Sequence, residues 1–203
     1  TMAIATVVTL SLALLVGLYL INIGGWPIAA IGIASLICAV AYTGGPFPLA
    51  YVGLGDLFVF LFFGLAAVAG TTFVQLLYVP PEAWIAGASI GLLATAILVV
   101  NNLRDRETDA VANKRTLAVR FGSKAARIEH MLCLFGAYVL VGGAVALSVA
   151  PVGWILTFVS LPLAIKEVVA VHRKDGPALN AHLGGAAKVE LIFGLLLCVG
   201  AWI

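Results

Sequence analysis

The 203-residue sequence predicts an all-α protein, a polytopic bundle whose helices cross a membrane seven times. Three observations predict it. Hydrophobic residues make up 63% of the chain and the mean hydropathy is +1.17, far above the apolar share of an ordinary soluble domain. No charged residue occurs before Asp56. Seven apolar runs reach or approach the roughly 20 residues that a helix needs to cross a ~30 Å hydrocarbon core.

The runs follow in order. The first, near 3–23, has no basic residues before it and no clear cleavage site after it, so it is read as a retained span and not a signal peptide. A short turn at 24–26 separates it from the second, 27–43. The third, 57–77, follows a Gly/Pro-rich loop, and Asp56 just before it is expected to cap the helix. The fourth, 83–102, runs directly into a charged segment, beyond which lie the fifth (128–149), sixth (152–171) and seventh (184–203). Glycines within spans, such as Gly64, Gly70 and Gly91, suit close helix packing. No linker is long enough to hold a soluble domain. Residues 1–203 are therefore expected to form a single transmembrane domain, with 101–127 as a cytoplasmic catalytic loop. Cys38, Cys133 and Cys198 lack metal-site spacing and read as small core hydrophobes.

Charge distribution predicts the orientation. The loops near 44–55, 103–127 and 172–183 fall on the side of the N-terminus and hold Arg104, Arg106, Lys114, Arg115, Arg120, Lys124, Arg127, Arg173 and Lys174. The opposite turns hold neither Lys nor Arg, so the first side is expected to be cytoplasmic and the C-terminus not. Trp26, Trp84, Trp154 and Trp202 all fall at helix ends on the other side, as an interfacial belt would. A bacterial-type plasma membrane, with its lipids as the surroundings, is the expected location. Nothing suggests a nucleic-acid partner.

Eleven of the twenty charged residues lie between Arg104 and Glu129. Charge at a membrane boundary is costly unless paired, solvated or ion-bound, which marks the cluster as a candidate site. Asn101, Asp105 and Asp109 are four apart and form one ladder on a helix face. Two carboxylates and an amide oxygen suit Mg²⁺, which takes one or two carboxylates and completes its shell with water and substrate phosphate. Arg104, Lys114 and Arg115 suit that phosphate, although basic residues here also anchor orientation. Asn102 and Gln75 are either pocket contacts or hydrogen-bonding glue between helices. Tyr42 and Tyr51 lie at the boundary, where tyrosines serve as interface anchors. His130, His172 and His182 read as singletons, while Lys166 and Lys188 are long enough to snorkel or to pair with an acid.

Several motifs occur together. Tyr-Thr-Gly-Gly-Pro-Phe-Pro-Leu-Ala-Tyr-Val-Gly-Leu-Gly-Asp runs over 42–56, Phe-Phe-Gly over 62–64 and Val-Ala-Gly-Thr-Thr-Phe-Val-Gln over 68–75. Asn-Asn-Leu-Arg-Asp-x-x-x-Asp at 101–109 is joined to Lys-Arg-Thr-Leu-Ala-Val-Arg-Phe-Gly at 114–122. In this order the set resembles the membrane-embedded aromatic prenyltransferases of the UbiA superfamily, best the branch acting on 1,4-dihydroxy-2-naphthoate in menaquinone or phylloquinone synthesis. The likeness covers essentially the whole chain, including Leu179-Asn180.

That resemblance implies nine helices around a cavity with two aspartate-rich motifs at its cytoplasmic mouth. Only the second is here, so two helices and an Asn/Asp-x-x-x-Asp motif are expected upstream of Thr1, and the 203-residue piece is expected to be inactive alone. It also implies Mg²⁺ as cofactor, a polyprenyl diphosphate donor and 1,4-dihydroxy-2-naphthoate or a related acceptor, with loss of carbon dioxide. Asp105 and Asp109, with Asn101, would hold the metal. Arg104, Lys114, Arg115, Asn102 and Gln75 would contact substrate, and Tyr42 becomes a catalytic-pocket residue. One departure is Pro46, four residues after Tyr42, where many members have lysine. The rivals are a transporter or channel, which would more often show symmetric halves, and an inactive structural fragment. A phosphatidyl-type transferase would carry an Asp-Gly-x-x-Ala-Arg signature, which is absent.

Overall fold

The computed structural model describes residues 2–46 and 48–203, so Thr1 and the Phe47 of the 42–56 motif lie outside the described residues. Seven helices follow in order: α1 (Met2–Thr43), α2 (Gly55–Leu76), α3 (Pro81–Arg104), α4 (Arg106–Val111), α5 (Leu117–Ala146), α6 (Val152–His172) and α7 (Gly176–Gly200). The described residues contain no strand. All but α4 are long and apolar enough to cross a membrane, and the protein is an integral membrane protein.

Six long apolar helices correspond to the seven expected spans, because α1 holds the first two on either side of a kink at Gly25. The apolar stretch of α1, Ile4–Ala41, has 38 residues. At 1.5 Å per residue that is ~57 Å, nearly twice a hydrocarbon core. Gly25 breaks it with φ +64° and ψ −149°, a conformation glycine alone adopts easily, and Pro27 follows. The arms before and after Gly25 line one apolar groove of about 460 Å³ with Phe62 and Gly70 of α2.

The centre of the bundle is α3, which packs against α5, α2 and α7. Leu93, Ala96, Leu134, Ala137, Val189 and Phe193 from three of these helices are buried together. Its contact with α2 is unusually close. A Cβ on Gly91 would lie 2.7 Å from the Phe60 carbonyl oxygen, so a glycine is required there. The facing stretch of α2, Phe60–Ala66, is wound as a π-helix.

Several expectations change at this level. The 103–127 loop is mostly helical, containing α4 and the start of α5, whose helix is interrupted at Gly122. Leu54, and not Asp56, is the N-cap of α2, and no side chain caps it. Trp26, Trp84 and Trp202 are exposed, but Trp154 is buried in the core and belongs to no belt. Cys133 is buried as expected, whereas Cys38 is half-buried and Cys198 is exposed. His182 is no singleton: Nδ1 lies 2.6 Å from Glu167 Oε2 and Nε2 lies 2.9 Å from Lys174 Nζ. A buried carboxylate in an apolar helix needs a partner, and Glu167 finds one in His182 of α7, which in turn meets Lys174 of the preceding loop.

Candidate active site

The ladder begins at the C-terminus of α3. The helix loosens at Asp105 (φ −93°, ψ 7°) before α4 starts. Its hydrogen bonds nevertheless continue: the Asp105 N–H donates to the Asn101 carbonyl at 3.0 Å and the Asp109 N–H to the Asp105 carbonyl at 2.8 Å. The four-residue spacing therefore persists through the joint. Beyond α4 the chain reverses, and the Lys114 N–H donates to the Asp109 carbonyl at 2.8 Å. That reversal returns Lys114 to the ladder.

Each carboxylate has its own cation. Arg104 donates from Nε to Asp105 Oδ1 at 2.6 Å and from Nη2 to Asp105 Oδ2 at 2.5 Å. Nη2 also reaches Asn101 Oδ1 at 2.7 Å, and Nη1 reaches Asn180 Oδ1 at 3.0 Å. All three guanidinium nitrogens are engaged. Lys114 Nζ donates to the buried Asp109 at 3.0 Å. The Arg104 guanidinium, hydrogen-bonded to both oxygens, holds the Asp105 carboxyl below the usual carboxylate range despite partial burial, with help from the charges of Arg104 and Lys114. Asp105 is an anion at neutral pH. Arg104, Asp105, Thr108, Ser123, Asp175 and Asn180 line a polar cleft of about 680 Å³.

A second loop is fastened beside this cluster. The Arg115 N–H donates to the Tyr51 carbonyl at 2.9 Å, while Arg120 donates to the carbonyls of Val52 at 2.9 Å and Arg115 at 3.0 Å. These bonds dock the segment before α2 against the segment before α5. Tyr42 lines an apolar pocket of about 610 Å³ with Phe58 and Phe62, whose rings stack 5.9 Å apart.

The structure brings Asn101, Arg104, Asp105, Asp109 and Lys114 together. Asn102 is buried next to them in α3, and Arg115 is exposed and tied to the cluster through its main chain. Gln75 stands apart. It lies at the far end of α2, while Asp105 follows the other end of the 24-residue α3, a helix ~36 Å long. Gln75 lines the groove of α1 instead. Asn180 carried no assigned role in the sequence, because it lies 76 residues from Arg104 and no local spacing links them.

Two carboxylates flanked by amide oxygens are hard donors that fit Mg²⁺. Among the described residues no three His, Cys, Asp or Glu side chains cluster into a metal site. The acidic pair would therefore supply only part of a coordination shell, with other oxygens needed to complete it.

The model of the UbiA prenyltransferase family matches residues 1–189. The chain is 35% identical to the 1,4-dihydroxy-2-naphthoate octaprenyltransferase of Haemophilus influenzae, over 85% of this chain and 56% of that protein. It is 34% identical to the Escherichia coli protein of the same name, over 98% and 67%. It is 27% identical to the 2-carboxy-1,4-naphthoquinone phytyltransferase of Synechocystis, over 84% and 56%. These curated relatives are longer, and the chain spans between about half and two thirds of them. No solved structure matches the chain.

Proposed function

Because the chain belongs to the UbiA prenyltransferase family, we propose that the protein it comes from transfers a polyprenyl group from its diphosphate to 1,4-dihydroxy-2-naphthoate or a close analogue, with decarboxylation, within the membrane. The observation that carries this reading is the pairing of Asp105 with Arg104 and of Asp109 with Lys114 on one ladder at one end of an apolar bundle. The names of the relatives supply the substrate class.

In this reading Asp105 and Asp109 hold Mg²⁺, with Asn101 beside them. The ion, when bound, offsets the charge that develops on the diphosphate as its C–O bond breaks. Arg104 and Lys114 supply the positive charge that a diphosphate needs once its oxygens compete for the same site. Arg115, exposed on the adjoining segment, is a further phosphate contact. The bond that breaks leaves an allylic cation. The ring faces of Tyr42, Phe58 and Phe62 stabilise such a cation and exclude water from it. The electron-rich acceptor ring attacks, the new C–C bond forms, and the acceptor's carboxylate leaves as carbon dioxide. Gln75, in the distant groove, can touch only the far part of a long prenyl chain.

The test is Asp105→Asn and Asp109→Asn in the full-length protein. Each is expected to lower turnover roughly a hundredfold or more, the range for losing a charge-stabilising group. Near-normal turnover in both, with normal membrane levels, would overturn the assignment.

A further inference from the structure

We propose that Asp56 binds a ring hydroxyl of the aromatic acceptor. The inference rests on the prenyl-transfer reading above and assigns the acceptor end of that same site.

Asp56 opens α2 with a side chain that does no capping. The residue is 6% exposed, and Oδ1 is buried with no hydrogen-bond partner among the described residues. A buried carboxylate oxygen left unpaired is costly, and a fold keeps one where a ligand supplies the missing donor. Its main chain is pinned, because the Asp56 carbonyl accepts from Thr95 Oγ1 of α3 at 3.4 Å. The carboxylate is thus held in place with Oδ1 unpartnered among the described residues.

The surroundings identify the donor. Asp56 is within electrostatic reach of Tyr42 and of Lys114, the lysine that pairs with Asp109. It therefore lies beside the ion-paired cluster. The Tyr42 hydroxyl would lie 3.2 Å from a Cβ on Gly55, the neighbour of Asp56, and the Tyr42 ring lines the pocket walled by the stacked Phe58 and Phe62. A flat aromatic ring matches those walls, and a hydroxyl on it supplies the proton that a carboxylate acceptor lacks. A prenyl chain has no donor to offer, and a diphosphate anion would be repelled.

The experiment measures equilibrium binding of 1,4-dihydroxy-2-naphthoate and its methyl ethers to the full-length protein by calorimetry, alongside turnover. Asp56→Asn and Asp56→Ala are expected to weaken binding of the free acceptor about tenfold or more, the range expected when a site built for a hydroxyl loses its partner. The KM for prenyl diphosphate should stay within about twofold, and the variants should no longer prefer the free hydroxyl over the ether. The wild type provides a check that needs no variant to fold: equal affinity for free and etherified acceptors overturns the proposal. An unchanged acceptor affinity in Asp56→Asn overturns it too, as does a loss confined to the diphosphate KM, which would make Asp56 a partner of Lys114 only. If the wild type binds the acceptor but transfers no prenyl group, the transfer reading falls, while the binding comparison still decides the role of Asp56.

Discussion

Arg104 collects oxygens from Asn101 and Asp105 on its own helix end and from Asn180 at the start of the last long helix. Its planar fork does this in a way a lysine could not, because each nitrogen points in a set direction. Asn180 is therefore a positioning residue, aiming a guanidinium that would otherwise have one free arm. A hydrogen bond to a charged group contributes ~1.5–3 kcal/mol when well shielded, and the Arg104–Asn180 bond is exposed. Asn180→Ala is accordingly expected to raise the KM for prenyl diphosphate by about five- to tenfold, with kcat changed much less. Asn180→Asp retains an acceptor oxygen and should recover part of the loss. A diphosphate KM identical to wild type in Asn180→Ala would show that Arg104 needs no third oxygen.

At the scale of elements, α2 and α3 approach so closely that backbone meets backbone. Gly64, Gly87 and Gly91 form the contact, and a Cβ on Gly91 would also lie 3.0 Å from the Phe60 ring. Small residues allow this approach, and dispersion over the shared surface holds it where water cannot drive association. The contact also sets the start of α2, and with it Asp56, against Thr95 of α3. Gly91→Ala is expected to destabilise the protein by ~1–3 kcal/mol through overpacking, read as an earlier thermal transition in detergent. Gly143→Ala is the control, because a Cβ there meets nothing within 4 Å, and it should be neutral or stabilising by up to ~1 kcal/mol. Equal transitions for the two variants would show that the α2–α3 approach is loose.

For the whole molecule, the topology puts the segments carrying Tyr51, Asp105, Lys114, Arg127 and Asn180 at one end of the bundle and the Trp84 and Trp202 ends of α3 and α7 at the other. Nine Lys and Arg residues fall in the loops, the short α4 and the adjoining ends of the long helices at the first end. By the positive-inside rule we propose that this end is cytoplasmic, where a water-soluble diphosphate head would reach the ladder. Ser123 lines the same polar cleft as Asp105. With Cys38, Cys133 and Cys198 replaced, Ser123→Cys should react with an impermeant maleimide only from the cytoplasmic side, and Ile203→Cys only from the other. Reversed labelling would invert the topology and close the proposed route for the donor.

What the sequence by itself determined was the part of the protein written in local order. Span lengths were legible because the thickness of the hydrocarbon core imposes them on consecutive residues, and the first two spans meet at the kink at Gly25. The Asn101–Asp105–Asp109 ladder was legible because helical periodicity sets it, and its hydrogen bonds persist through the joint after α3. Only the tertiary structure decided what meets across helices. It brought Asn180 to Arg104, joined His182 to Glu167, buried Trp154 where an interfacial ring was expected, and left Asp56 buried with an oxygen unpartnered among the described residues in place of a capping role. The physical reason is that each of these depends on which faces of distant helices pack together. In a membrane nearly every helix is apolar on all sides, so the pattern that marks a buried face in water is largely missing from the sequence.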